Sequence, residues 1–292
     1  MQRRTRGLRE LCRLLGYSSQ AYYQYQKATE SRTFKQEEVI QQVLERRRLQ
    51  PRIGARKLLE IIQPLMGRDA FFDLLRDSGL LVRRKRIRVR TTFSAHRFRK
   101  YPNLIEELVV NRPNQLWVSD ITYLRIAQDF AYLSLITDAY SRKIIGFCLS
   151  HDLSTDSCLK ALRMALATRL NDQPLIHHSD RGTQYCSQAY TNLLKKKGID
   201  ISMTQNGNPR DNAIAERVNG ILKMELLSDN YVNIGTANQS VKQAINVYNT
   251  RRPHSSLDML TPEVAHQTEG PLKRRWRNYY PKNEKEVAMA MY

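Results

Sequence analysis

Three acidic residues stand where a metal-dependent phosphoryl-transfer centre would need them. Asp120 lies inside Leu116-Trp117-Val118-Ser119-Asp120-Ile121-Thr122-Tyr123-Leu124, a run of apolar, β-branched and aromatic residues that reads as a strand. A carboxylate in mid-strand is costly and needs a reason. Asp180 ends Pro174-Leu175-Ile176-His177-His178-Ser179-Asp180, where an apolar run stops at Asp180-Arg181-Gly182 and the chain must turn, as at the carboxyl end of a strand in an open α/β sheet. Thirty-five residues separate Asp180 from Glu216. Glu216 sits on a predicted helix that follows the breaker Asn206-Gly207-Asn208-Pro209, with Asp211 or Asn212 available as N-cap and the helical pattern running to about Leu227. Three carboxylates suit hard divalent cations, because Mg²⁺ and Mn²⁺ prefer oxygen ligands. Two such ions roughly 3.5–4 Å apart stabilise the attacking and leaving oxygens of an in-line displacement, with no protein nucleophile required.

The elements that must position these acids follow from hydrophobic periodicity. Strands are expected near 115–124, 130–137, 143–149, 174–179 and 199–204, and helices near 156–170, 187–197, 212–227 and 236–250, a pattern that suits a mixed α/β sheet. On the helix that carries Glu216, a turn of roughly 100° per residue puts Ile214, Val218, Ile221 and Leu222 on one face. Glu216, Asn219, Gly220 and Lys223 fall opposite, so Glu216 and Lys223 are expected to face away from the core together.

Neighbouring polar residues have plainer readings. Asp138, ahead of Ala139-Tyr140-Ser141-Arg142, suggests a turn with a structural partner such as Arg142; Asp211 reads as a cap, and Glu225 lies off the Glu216 face. His177 and His178 beside a strand end read as hydrogen-bonded structural groups, with His178 able to reach a metal shell or a substrate phosphate. Cys12, Cys148, Cys158 and Cys186 show no paired ligand spacing, so a zinc-binding amino-terminal domain is not evident, and Cys186 reads as a packed thiol.

Charge divides the chain. The sequence of 292 residues carries a net charge of +20, and residues 1–100 hold 25 Lys and Arg against 9 Asp and Glu, a net of +16. The remaining residues are nearly balanced at +4, with 23 against 19. Basic modules that grip a polyanion ahead of a catalytic core explain this division. Residues 1–30 read as a helix-turn-helix-like segment, with Gly16 at the turn and Ser18 or Ser19 capping a second helix through Tyr22, Tyr23 and Tyr25. Residues 31–82 read as a second helical DNA-binding unit marked by Val39, Ile40, Val43 and Leu44, by Ala55 through Ile62 and by Ala70 through Leu75. Arg52, Arg56 and Lys57 are its candidate DNA contacts.

Residues 83–112 read as a basic linker, in which Arg83, Arg84, Lys85, Arg86, Arg88 and Arg90 are candidates for sequence-independent phosphate neutralisation. Residues 113–265 form the expected catalytic core. Residues 266–292, with Lys273-Arg274-Arg275-Trp276-Arg277 and Tyr279-Tyr280, form a basic and aromatic tail that could contact DNA or pack on the core. No secretory segment or membrane-length apolar stretch is evident, which is consistent with a reducing cytoplasm.

The local sequence resembles the retroviral-integrase-like transposases of bacterial insertion sequences, specifically the OrfB product of the insertion-sequence-three family. The matches are Trp117-Val118-Ser119-Asp120-Ile121-Thr122-Tyr123, Thr137-Asp138-Ala139-Tyr140-Ser141-Arg142 with Ile145-Gly146, and His178-Ser179-Asp180-Arg181-Gly182-Thr183-Gln184-Tyr185. They continue through Asp211-Asn212-Ala213, Glu216, Lys223-Met224-Glu225, Tyr248-Asn249, Arg252-Pro253-His254, Leu257 and Thr261-Pro262, over nearly the whole chain. Ile53 departs from the pattern, where the family often has an aromatic residue.

The resemblance implies an α/β ribonuclease-H-like core, a mixed five-stranded sheet with flanking helices, preceded by small all-α helix-turn-helix-like units. It implies that Asp120, Asp180 and Glu216 form a DDE triad holding two Mg²⁺ ions, which Mn²⁺ can replace, and that Lys223 occupies the family's basic position near the transposon end. It further implies a transposase that binds its element's terminal inverted repeats in double-stranded DNA, cuts one strand, and transfers the freed 3′-OH by a copy-out-paste-in route through a circular intermediate. An oligomer, at least a dimer on DNA, and a fusion or partnership with an upstream-frame OrfA product belong to the same expectation. A ribonuclease-H-like hydrolytic nuclease and a non-catalytic DNA-binding regulator are the alternatives; the intact acids argue against the second.

Overall fold

Leu133 and Leu135 of the second strand pack on one set of helices while Ile136 packs on another, so this strand is buried on both faces and reads as a nearly continuous apolar run. The computed structural model describes residues 3–82, 98–127, 129–169, 173–205 and 212–272. It divides into two units, Met1–Arg84 and Lys85–Tyr292. The basic run Arg83–Arg90, with Arg83, Arg84, Lys85, Arg86, Arg88 and Arg90, and the tail from Lys273 lie outside the described residues, as does Asp211.

The smaller unit contains α1 (Arg3–Leu14), α2 (Ser19–Leu49), α3 (Ala55–Ile62) and α4 (Arg68–Asp77). Gly16, at φ 75°, makes the turn after α1, and the Ser18 hydroxyl accepts from the Ala21 N–H to cap α2. The boundary expected near residue 30 does not exist as a break. No Gly or Pro interrupts residues 19–49, and α2 runs on as one helix that joins the two expected segments. Its second half packs with α3 and α4 through Val39, Val43, Ile53, Leu58, Phe71 and Leu75. Ile53 is fully buried, which makes it a core residue of this unit.

The larger unit is built on a five-stranded sheet of β1 (Leu116–Ile126), β2 (Asp129–Asp138), β3 (Ile144–Ser150), β4 (Ile176–Ser179) and β5 (Asp200–Met203), in the order β3-β2-β1-β4-β5. The first three strands are antiparallel, β4 pairs parallel with β1 and β5 parallel with β4, which is the ribonuclease-H-like arrangement. One face is covered by α5 (Thr155–Ala167), the short α6 (Thr183–Cys186) and α7 (Gln188–Lys196), which pack on Trp117, Ile136 and Ile145. The other is covered by α8 (Ala213–Ile221), a π-helical turn (Leu222–Leu226) and α9 (Ile234–Arg251), against Leu133, Leu135 and Ile144. The π-turn interrupts the single helix expected over 212–227. Helix α5 crosses β3 so closely at Gly146 that a Cβ there would collide with the Ala161 carbonyl.

Both expected edges of the core shift outward. Residues 101–112 were expected in the linker but belong to this unit: the Pro102 carbonyl accepts from Met203 N–H beyond the sheet edge, and Ile105, Leu108 and Val110 pack on Leu116 and Val118. At the other end, α10 (Pro262–Ala265) leads into residues 266–272, where the Tyr140 hydroxyl donates to the Gly270 carbonyl at 2.8 Å and Gly270 N–H donates to the Asn111 carbonyl. No helix among the described residues is long and apolar enough to cross a membrane.

Candidate active site

The β1–β4 register brings the first two acids together. Leu116, Trp117 and Val118 pair with Ile176, His177 and His178, so Asp120 and Asp180, each two residues beyond the last pair, fall at equivalent positions and on the same face of adjacent strands. Asp120 and Asp180 line one cleft of about 200 Å³, with Tyr123, Tyr132, Leu153 and Gln184 among its walls.

The Asp120 carboxylate is held from both sides. Its Oδ1 accepts from the Ile121 N–H at 2.9 Å and its Oδ2 from Asn219 Nδ2 at 2.7 Å. Burial, with Asp180 alongside and a smaller push from Glu216, raises its pKa to about 7, while these hydrogen bonds pull the other way. Asp180 lies just after β4, and its Oδ1 accepts from the Gly182 N–H at 3.0 Å. A Cβ on Gly182 would sit 3.0 Å from that same oxygen, so a larger residue there would make the carboxylate shift by a few tenths of an ångström.

Glu216 is exposed in the first turn of α8, and partial desolvation raises its pKa. Among the described residues no group of three or more His, Cys, Asp or Glu side chains is gathered closely enough to hold a metal ion. Asp120 and Asp180 are neighbours, and Glu216 acts on Asp120 through its field.

Asn219 is the residue the sequence reading missed. It shares the polar face of α8 with Glu216, but Asn219 is buried against Asp120 while Glu216 stays exposed. Its position three residues after Glu216, on the same face, was the available signal. Asn212, at the N-cap position, makes no side-chain cap bond and instead donates from Nδ2 to the Ser119 carbonyl at 3.1 Å. Two asparagines thus fasten α8 to the strand that carries Asp120.

Lys223 also departs from expectation. It lies in the π-turn, half-buried, with Nζ 3.8 Å from the centre of the Tyr123 ring, a cation–π contact at the cleft wall. Burial lowers its pKa to about 8, against an upward pull from Asp120. In the smaller unit Arg56 is exposed, whereas Arg52 and Lys57 are half-buried and engaged with other groups.

The remaining polar residues support the frame. His177 is buried with Nε2 at 2.7 Å from Ser119 Oγ and 2.9 Å from the Tyr190 hydroxyl, and burial lowers its pKa to about 3. His178 does not line the cleft: it is buried between β4 and β5 with Nδ1 at 2.8 Å from Ser202 Oγ, so it is a structural group. Asp138 is fully buried and closes its turn by accepting from Asn114 N–H, Ser141 N–H and Ser141 Oγ, while the Arg142 side chain donates to the Ala139 carbonyl. Glu225 receives a two-pronged ion pair from buried Arg252, with both contacts at 2.8 Å. Cys186 is buried against Met203, and burial raises its pKa to about 11, as expected of a packed thiol.

Residues 110–209 match the integrase core domain family, and residues 197–262 match a second integrase core domain family. The chain is 32% identical over 260 residues to the insertion element IS600 uncharacterized 31 kDa protein of Shigella sonnei, an alignment covering 86% of this chain and 96% of that protein. It is 34% identical over 192 residues to the transposase InsF for insertion sequence IS3A of Escherichia coli K12, covering 65% of this chain and 67% of the relative. Among solved structures, the HTLV-2 integrase catalytic core domain in complex with magnesium (trimeric form) is 18% identical, with a TM-score of 0.42 over 53% of this chain and 97% of that one. The chain belongs to the insertion-sequence transposases that carry an integrase-like core. It is an enzyme of the polynucleotidyl-transferase type that acts in transposition and DNA integration.

Proposed function

We propose that this transposase binds the terminal inverted repeats of its element as double-stranded DNA, cleaves one strand at each end, and joins the freed 3′-OH to a new phosphodiester. The parallel register that sets Asp120 beside Asp180 carries this reading, because two carboxylates side by side at a cleft floor suit oxygen-seeking divalent ions and little else. Asp120, Asp180 and Glu216 are the residues that would hold such ions. Bound there, two Mg²⁺ ions, or Mn²⁺ in their place, would stabilise the attacking and leaving oxygens of the in-line displacement. Asn219 orients the Asp120 carboxylate through its 2.7 Å hydrogen bond, and Asn212 holds the start of α8 against β1. In the first step water attacks the phosphorus and the strand leaves as a 3′-OH; in the second that hydroxyl attacks and another 3′-oxygen leaves.

Lys223 supplies positive charge at the cleft wall for the DNA end. Arg52, Arg56, Lys57 and the run Arg83, Arg84, Lys85, Arg86, Arg88 and Arg90 neutralise phosphates further along. Two ends must be held at once, so the working form is at least a dimer on DNA, at the nucleoid of the bacterial cytoplasm, alone or fused to an upstream-frame OrfA product. The route is copy-out-paste-in through a circular intermediate. The test is a strand-transfer assay with labelled element ends in Mg²⁺ and Mn²⁺, comparing wild type with Asp180→Asn and Glu216→Gln. Joined product lost in both variants supports the reading. Cleavage without joining replaces it with a hydrolytic nuclease, and end binding without chemistry replaces it with a regulator.

A further inference from the structure

The cleft has an acidic floor and a wall of another character. Tyr123 on β1 stands directly opposite Tyr132 on β2, and both line the cleft with Leu153 beside Asp120 and Asp180. The Tyr123 ring already has company: Lys223 Nζ lies over it at 3.8 Å, and Phe130 meets it edge-on with centroids 5.3 Å apart. Tyr132 is different. It is half-buried, and among the described residues its side chain has no hydrogen-bond, ring or electrostatic partner. A tyrosine that served only to fasten the sheet would anchor its hydroxyl or pack its ring.

From this wall we infer that Tyr132 is a stacking platform for one unpaired nucleobase of the DNA end, adjoining the phosphate held at Asp120 and Asp180. The inference rests on the strand-transfer reading for the phosphate and adds the base. A phosphate at the acid pair places the neighbouring nucleoside within the same cleft, whose wall is aromatic and apolar. A base inside a duplex has both faces covered by its neighbours, so only a base released from pairing offers a face to a ring. Stacking of this kind tolerates any base, since each has a π-face, and the Lys223 ammonium over the adjacent Tyr123 supplies charge for a flanking phosphate. The site therefore favours a frayed end over a closed one without reading its sequence.

The test uses the full chain and a duplex end with 2-aminopurine at the unpaired terminal position and a dideoxy 3′ terminus, titrated in Mg²⁺. Wild type and Tyr132→Phe quench the fluorophore on binding, whereas Tyr132→Leu, which keeps apolar bulk, and Tyr132→Ala do not. With an ordinary 3′-OH end, joining falls about 10- to 100-fold in the Leu and Ala variants and stays within about twofold in the Phe variant. A mismatch at the terminal pair speeds joining by wild type and not by Tyr132→Leu. Quenching by Tyr132→Leu equal to wild type overturns the platform, as does a loss in Tyr132→Phe matching that in Tyr132→Ala, which would assign the effect to the hydroxyl. Wild type that quenches through Tyr132 but never joins sinks the strand-transfer reading and leaves the base site standing.

Discussion

The two units treat their polar side chains in opposite ways. In the sheet unit Asp138, His177, His178, Asn249 and Arg252 are buried, each within hydrogen-bonding distance of a named neighbour. In the helical unit Gln50 is the sole buried polar side chain among the described residues, and Leu14, Tyr25 and Phe34 are well exposed on its amino-terminal helices. The helical unit rests on a small apolar core of α2, α3 and α4 and leaves most of its charged side chains exposed, with Arg46, Arg47, Arg52 and Lys57 partly buried. One unit therefore uses desolvation to fix a geometry, and the other keeps most of its charge at the surface. Substitutions in the first should change both chemistry and stability; basic substitutions in the second should change binding alone.

The largest effect expected from this contrast is at Asp180. Asp180→Asn should lower strand joining on the order of a thousandfold, the scale on which removing one element of transition-state charge stabilisation acts. Its thermal unfolding midpoint should hold or rise, because a like charge beside Asp120 has gone. A large drop in melting temperature would show that the acid pair is structural. Next comes Arg252→Met, which leaves half-buried Glu225 without its buried partner and should cost about 3 kcal/mol in denaturant unfolding of the sheet unit. The double variant Arg252→Met with Glu225→Leu should recover most of that loss; failure to recover would mean that the pair contributes more than mutual neutralisation.

Acid should distinguish the units next. His177 stays neutral in the folded sheet unit down to about pH 3, whereas the unfolded chain takes up that proton near pH 6.5. Between those values the unfolded state binds more protons, so stability is fully present above about 6.5 and declines as pH falls, on the order of 1 kcal/mol per pH unit at most. His177→Gln should flatten that part of the stability curve of the sheet unit. An unchanged acid slope in the variant would remove His177 as its cause. Smallest of all, Arg56→Ala should reduce the salt dependence of DNA binding by about one phosphate contact and shift stability by less than about 0.5 kcal/mol. A larger stability change would place Arg56 inside the fold of its unit and break the contrast.

The strands were legible because both faces of the sheet are covered, which writes each as a dense apolar run; β2 and β4 lie within a few residues of the spans that periodicity predicts. Asp120 and Asp180 were legible because a carboxylate ending or interrupting such a run is conspicuous. Asn219 was not. Periodicity reports which residues share a helix face, not which of them meets a neighbour, and on the polar face of α8 Asn219 is buried against Asp120 while Glu216 stays exposed. The same limit hid the contact of Lys223 with Tyr123. Residues 101–112 escaped notice because the basic run before them drew them into a linker, and their attachment through the Pro102 carbonyl is a backbone contact that no side-chain pattern encodes. The unbroken α2 was obscured by exposed tyrosines that resemble the start of a separate recognition helix.

The pairing of β1 with β4 joins residues sixty positions apart, Leu116 with Ile176, and has consequences for the order in which the molecule matures. Side chains alternate along a strand, so a slip of one residue between these two strands would turn Asp180 to the opposite face while leaving every hydrogen-bonded ladder nearly intact. A chain refolding from denaturant can thus regain its helix and strand content early and still have no cleft floor. Contacts this distant in sequence close slowly. Competence for chemistry should therefore be among the last properties to return, arriving in one step with the correct strand register.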